Sequence, residues 1–556
     1  MTVESPGALG VPFVPPWPPA LGFVPGSIGQ RVEALAAPET SGRPAARIRG
    51  RFFASCTAIA FAVSGCASLP ERPPPPVEHA AAPALAGPLH DYGARIEASL
   101  AAGATAHWLL ERADAALNAR LALADEAVGT LDVQYFVWQN DASGALLALR
   151  LLAAADRGVK VRLLLDDFGV SKSGAMVAWL DSHPGIEVRV FNPWASRDSL
   201  VGLTIEFLAR TKTLNRRMHN KAFIADSRFA ILGGRNVGDR YFGLYEPFVE
   251  DDLDVLVAGA LVATLSASFD EFWNSPATYP VALLAPEQKP VDAAAAEARF
   301  AANVAAAAPR LAAFPTRATD WSDFFAGLLR SYAAGPAELY ADSPEVANPA
   351  RARLYPRFKE LVASAQHEVL ISSPYFIPDA EFRELIEALV ARGVRVAIVT
   401  NSLASNNHVV AHTGYKRWRR EVLRAGAELY ELRVDAAALS EYVTPPTTSR
   451  ALGLHAKAVV VDRRRAFIGS PNVDPRSMEI NTEIGVAADS EDLAGELAAL
   501  IERDMAPENA WRVTIDADGW LTWSSGAGKL TRQPATGFTQ RAEEFLLNLL
   551  PLKDQS

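Results

Sequence analysis

Cysteine is almost absent from this 556-residue chain: only Cys56 and Cys66 occur, both near the N-terminus. The body of the protein therefore has no internal disulfide and no cysteine-based metal site. Positive charge is in deficit, with a formal net charge of -10. That balance repels a polyanion and argues against non-specific binding of DNA or RNA. It says less about membranes, where a local basic patch can outweigh the global sum. Methionine is scarce as well, with none between Met1 and Met176. What the chain does have is apolar residues, 49% of the total, ample for a core, in a length that favours two domains over one.

The N-terminal region has the marks of export. Arg47, Arg49 and Arg51 precede a short apolar run, Phe52 to Val63, which closes on Val63-Ser64-Gly65-Cys66. A basic stretch, an apolar stretch too short to span a bilayer and a small-residue exit form an export signal. The last four residues resemble a bacterial lipoprotein lipobox, which makes Cys66 the acylated first residue of the mature chain. Pro70 and Pro73 to Pro76 follow, suiting a tether between lipid and domain. Residues 1–46 are Pro/Gly-rich with no obvious fold, and the signal begins only at Arg47. A start codon assigned too far upstream accounts for this, and N-terminal mass spectrometry of the mature protein decides it.

The rest of the chain repeats itself. Leu131-Asp-Val-Gln-Tyr-Phe136 matches Val369-Leu-Ile-Ser-Ser-Pro-Tyr-Phe376 in apolar pattern, and Ala155-Asp-Arg-Gly-Val matches Ala391-Arg-Gly-Val. Each reads as an apolar strand, an amphipathic helix leaving at Arg-Gly-Val, and a second apolar strand, giving a β-α-β unit with a buried parallel pair. Further on, His219 and His455 lie 236 positions apart, as do Lys221 and Lys457, Asp226 and Asp462, Gly233 and Gly469, and Asn236 and Asn472. The apolar tetrapeptides 222–225 and 458–461 place each motif on a buried strand, with His and Lys sharing one face because residues i and i+2 do so.

A His-x-Lys-x4-Asp motif followed by Gly-(Gly/Ser)-x-Asn, present twice, resembles the phospholipase D superfamily. The resemblance runs from about Leu109 to Pro551. It is nearest to bacterial cardiolipin synthases of the C type in Val133-Gln-Tyr-Phe-Val-Trp138, Gly233-Gly-Arg-Asn236, Tyr241-Phe-Gly243, Thr400-Asn-Ser-Leu403, Gly414-Tyr-Lys-Arg417 and Glu428-Leu-Tyr-Glu-Leu432. It implies an α/β fold of two repeated phospholipase D-like domains, each a mixed sheet flanked by helices, with one active site at their interface. The expected division is an extension (1–46), a signal segment (47–66), a Pro/Ala-rich linker (67–100) and a first domain (101–284). An interdomain connection of helices and loops (285–348), a second domain (349–505) and a C-terminal segment packed on it (506–556) complete the chain.

Phosphodiester exchange needs a nucleophile, a proton donor for the leaving alkoxide and cations around the phosphate oxygens. Imidazole serves both of the first two roles near neutral pH. Lys221 and Lys457 supply charge, and Asn236 and Asn472 supply neutral donors. Gly234 and Ser470 are read as allowing close backbone approach to the phosphate. The arrangement requires no metal or other cofactor. The resemblance implies a phosphatidyl-His219 intermediate with His455 as acid. It also implies a carboxylate holding the histidine of its own motif, hence Asp252 for His219 and Glu483 for His455, with Asp254 the alternative in the first half. Asp226 and Asp462 are expected to anchor the turns after their strands, facing away from the chemistry.

Other features have blander readings. Tyr135, Phe136, Tyr375 and Phe376 are core or cleft-wall aromatics, and the C-terminal tryptophans 511, 520 and 523 are packing. His408 and His412 have i,i+4 spacing without a third ligand, which favours an exposed loop-helix near the cleft over a metal site. Lys416, Arg417, Arg419 and Arg420 form a basic cluster that is either a solvated helix face or a contact for anionic headgroups. The expected activity is phosphatidyl transfer to phosphatidylglycerol, making cardiolipin. Phosphatidylethanolamine is a second candidate substrate, the membrane surface is a partner, and no nucleic acid is expected. Rivals are a hydrolytic phospholipase D, a nuclease and an inactive lipid-binding module. The expected location is the bacterial cell envelope, anchored by lipid at Cys66 and facing the periplasm or exterior.

Overall fold

The computed structural model describes residues 69–71, 76–170, 173–196, 200–284, 292–345 and 354–548. The signal segment and Cys66 lie outside them. Two large mixed sheets repeat one plan. In the first, the strand Thr130–Val137 pairs in parallel with Lys160–Asp166, which pairs in parallel with Ile186–Phe191. On its other side the motif strand Ala222–Ala225 runs antiparallel, followed by Phe229–Gly233, Asp254–Gly259 and Thr105–Leu110. In the second, Glu368–Ser372, Arg395–Asn401 and Glu428–Leu432 are the parallel trio. Ala458–Val461, Arg465–Gly469, Ile484–Asp489 and Ala337–Ala341 follow antiparallel. The parallel strands are buried along most of their length because both sheet faces are covered, with polar residues such as Asp132, Arg162 and Arg189 buried among the apolar ones. The Arg-Gly-Val exits behave as read: Gly158 (φ 96°) and Gly393 (φ 84°) adopt the left-handed conformation that lets the chain leave a helix and enter the next strand.

Helices Ala260–Trp273 and Glu491–Met505, each following the equivalent strand of its half, lie between the sheets and share one apolar cluster with residues of both. The layers are thus helices, sheet, helices, sheet, helices. Two expected boundaries shift. The segment read as a tether is tied to the first domain from Glu78 on: Glu78 bridges Lys160 and Arg189, and Ala84 N donates to the Asp226 carbonyl. The helices of the connection, Ala293–Ala306 and Ser322–Arg330, bury Phe300, Phe325 and Leu328 in the first domain's core instead of bridging the halves. The actual crossing is short: Ala333–Gly335 closes the edge of the first sheet, Ala337–Ala341 begins the second, and Pro336 alone separates them. The C-terminal part adds strands Ala510–Ile515, Leu521–Ser525 and Gly528–Leu530 to the second sheet, with Trp523 buried and Trp520 exposed.

Candidate active site

The apolar tetrapeptides are strands, but the residues that carry chemistry stand just before them. His219, Lys221, His455 and Lys457 occupy the approach to Ala222–Ala225 and Ala458–Val461, not the strands themselves. Their backbone is held by the opposite half. His219 N donates to the Thr482 carbonyl (2.9 Å), and Thr482 N donates to the Arg217 carbonyl (2.9 Å). His455 N and Ala456 N both donate to the Asp251 carbonyl, at 2.6 and 2.8 Å. Behind the second contact, Val249–Asp251 leaves the first sheet and pairs in parallel with Leu452–Leu454 of the second half.

This exchange overturns the expected pairing of carboxylates. His219 Nδ1 lies 2.8 Å from Glu483 Oε2, and His455 Nδ1 lies 2.6 Å from Asp252 Oδ2. Each histidine is oriented by the half to which it does not belong, because residues 249–252 and 482–483 cross the interface to reach it. Asp254, the alternative, is engaged elsewhere: buried Arg120 and Arg235 hold its carboxylate.

Electrostatics fix the resting state. Burial, reinforced by Lys221 and Lys457, lowers His219 to about 4 against the pull of Glu483. Burial and Lys457 lower His455 to about 3 against Asp252. Burial opposes ionisation of the two carboxylates, but His455 and Lys457 hold Asp252 down at about 2, while His219, Lys221 and Ser470 lower Glu483. Each imidazole is therefore neutral and donates Nδ1–H to an ionised carboxylate, which leaves the Nε2 lone pair bare.

The lysines are buried, each ammonium donating to the carbonyl of its own motif histidine. Among the described residues neither has a carboxylate within 4 Å. The ionised Glu483 and Asp252 act on them at longer range, Glu483 favouring the Lys221 cation and Asp252 the Lys457 cation, so each ammonium is buried without a direct ion pair. Burial, with Lys457 adding, lowers Lys221 to about 7 in the empty site. Above that pH the Lys221 cation is lost, which predicts that kcat/KM declines on the alkaline side from about pH 7. Lys221→Arg, whose guanidinium stays charged, should move that decline upward by at least about two pH units. A limb at the same pH in both proteins would exonerate Lys221.

The glycine and serine after the motifs serve the carboxylates directly. A Cβ at Gly234 would stand 2.4 Å from Asp252 Oδ1, so only glycine leaves room for that side chain. At the equivalent position, Ser470 Oγ donates to Glu483 Oε2 (2.5 Å) and accepts from Ile484 N (2.9 Å). Neither is explained by phosphate approach alone. Asp226 and Asp462 do anchor their turns, accepting from the backbone N–H groups of residues 128–130 and 366–368 respectively. The Asn236 side-chain oxygen accepts from Val137 N (3.2 Å), and Asn472 Oδ1 is buried without a hydrogen-bond partner among the described residues.

The site's walls break the symmetry of its core. Phe136 meets the edge of His219 (centroids 5.0 Å) and stacks on Phe168 (5.7 Å), which is partly exposed. His455 is met instead by Tyr241 (5.4 Å), with Arg240, Glu250, Asn407 and Tyr375 beyond. Glu250, Arg240 and Asn407 were not singled out in the sequence; the acidic run Glu250-Asp-Asp-Leu-Asp254 was the available signal. Tyr135 and Phe376 are core, as read.

His408 caps the helix Val409–Arg424, and buried His412 shares Gln533 with Arg419; among the described residues no His, Cys, Asp or Glu group completes a metal site. Most of the basic cluster is used internally: Arg419 pairs with Glu431, Lys416 with Glu544, and Arg420 donates to the Gly519 carbonyl.

A family model described as "Cardiolipin synthase, PLD-like domain" matches residues 121–273 and 358–505, once per half. The chain belongs to this phospholipase D-like family and is an enzyme of its phosphatidyltransferase type. Cardiolipin synthase C of Escherichia coli K12 is 37% identical over 460 residues, covering 80% of this chain and 94% of that protein. An uncharacterized Helicobacter pylori protein (strain ATCC 700392 / 26695) is 33% identical, covering 73% and 80%. The fold is shared with the crystal structure of phosphatidylserine synthase from Haemophilus influenzae Rd KW20 (TM-score 0.50, 13% identity, 76% of this chain and 91% of that one).

Proposed function

We propose that this chain makes cardiolipin by moving a phosphatidyl group onto a hydroxyl of phosphatidylglycerol. The observation that carries the reading is two neutral, carboxylate-oriented histidines beside two buried lysines that have no direct ion pair among the described residues, with the site's walls apolar at His219 and polar at His455. His219 Nε2 attacks phosphorus, and the bond from phosphorus to the headgroup oxygen breaks. His455, protonated as the anion binds and raises its pKa, gives its Nε2 proton to the departing oxygen. The acceptor hydroxyl then returns a proton to His455 as its oxygen forms the new ester and the N–P bond breaks. The polar wall at His455 favours this polarity, since the departing and arriving hydroxyls are on the acid's side. The Lys221 and Lys457 ammoniums and the Asn236 and Asn472 amides hold the equatorial oxygens.

The Val-Ser-Gly-Cys66 segment supports an envelope location with a lipid tether, which keeps the site at the membrane surface. No helix among the described residues is long and apolar enough to cross a membrane. Expression of the full chain in a cardiolipin-deficient bacterium tests both points. Lipidomics should find cardiolipin with the unaltered protein and none with His219→Ala, and Cys66→Ala should release the chain from the membrane fraction. Phosphatidic acid in place of cardiolipin would make it a hydrolase.

A further inference from the structure

Glu250 is a buried carboxylate beside the reaction centre that the mechanism above does not use. It lies on Val249–Asp251, opposite Gly453 and two residues before His455 in the partner strand's direction. Its Oε1 accepts from Asn407 Nδ2 at 2.9 Å, with Arg240 Nη1 at 3.7 Å. Its Oε2 is buried and has no hydrogen-bond partner among the described residues. Leaving a carboxylate oxygen dry and unpaired costs free energy that a ligand hydroxyl would recover. The surroundings are built for such a ligand. Tyr375 donates its hydroxyl to Asn407 Oδ1 (2.8 Å), fixing the amide so that its N–H faces Glu250. Tyr241, edge-on to His455, closes the near side. Asn407 is exposed, and Arg240 and Tyr375 are half-buried, so the group opens outward from a buried end next to the histidine. Two residues before Glu483, at the position equivalent to Glu250, the second half has Asn481, so the His219 side lacks this carboxylate.

We infer that Glu250, with Asn407 and Arg240, is a subsite for the hydroxyls of a polyol headgroup on the His455 side, and that it selects a glycerol-type acceptor over a simple alcohol. This rests on the transferase reading. Glu250 Oε2 accepts from the hydroxyl next to the reacting one, and Arg240 and Asn407 offer donors to its oxygen. A monohydric alcohol satisfies His455 but leaves Glu250 Oε2 unpaired, which is the kind of loss that discriminates strongly in a desolvated site.

The partition of the covalent intermediate tests this. The full chain in mixed micelles is given the p-nitrophenyl ester of phosphatidic acid, whose leaving group makes no demand on the subsite, with glycerol and ethanol as equimolar competing acceptors. The ratio of phosphatidylglycerol to phosphatidylethanol is read, so any change in overall turnover cancels. Glu250→Gln should lower that ratio about tenfold, the loss of one charge-assisted hydrogen bond. Asn407→Ala, at an exposed position, should lower it several-fold. Ratios within about twofold of the unaltered protein in both variants overturn the subsite while leaving the transferase intact. If the unaltered protein releases p-nitrophenol but forms neither alcohol product, the transferase reading falls and the subsite with it.

Discussion

Replacing His455 with alanine should halt the reaction half-way. A donor with a p-nitrophenyl leaving group needs no general acid, so the variant should still release about one equivalent of p-nitrophenol per site as the His219 Nε2–P bond forms. Completion requires His455 to take the acceptor's proton, and its loss should slow turnover by about 10²- to 10⁴-fold. The stalled protein should carry a phosphatidyl group, recovered by peptide mapping on the segment containing His219. Neutrality of His219 makes this step available at physiological pH: burial and two lysines hold it near 4, so the lone pair is free without any base. A phosphopeptide containing His455, obtained from His219→Ala, would reverse the two roles.

The crossed carboxylates make a second, sharper prediction. Glu483 orients His219, so Glu483→Gln should slow the p-nitrophenol burst itself. The expected drop is about 10⁴-fold, as when the carboxylate of a catalytic triad is made an amide and the histidine turns to the wrong tautomer. Asp252 orients His455, so Asp252→Asn should leave the burst and slow only the steady-state turnover that follows. Were each carboxylate paired within its own half, the two phenotypes would be exchanged. Rapid-mix measurement of burst and steady-state phases on both variants separates the alternatives in one experiment.

The pieces of this site were legible in the sequence, and their wiring was not. A constant offset identifies equivalent residues in the two halves, but a repeat with internal two-fold symmetry satisfies own-half and cross-half pairing equally well. The choice is made by backbone that is neither conspicuously apolar nor patterned. Val249–Asp251 pairs with Leu452–Leu454, and the Met218–Thr482 bridge does the corresponding job for the other histidine. Small differences between the halves become intelligible only afterwards. Aspartate at 252 sits against a glycine with no room for a Cβ, and glutamate at 483 is steadied by the hydroxyl of Ser470. The polar wall at His455 escaped notice for a similar reason. Arg240, Glu250, Tyr375 and Asn407 come from four separate segments, and no spacing joins them. The central parallel pair of each sheet, by contrast, was readable because it is a self-contained pattern of strand, helix and glycine exit within some forty residues.

The interchange of carboxylates also makes catalytic competence a property of the docked pair. Neither half, folded alone, contains an oriented histidine: each would hold an imidazole free to rotate and a carboxylate with nothing to aim. A newly made chain whose halves have not yet docked is thus chemically silent until residues 249–252 and 482–483 reach across, so that phosphodiester chemistry is withheld from every incompletely assembled form of the protein.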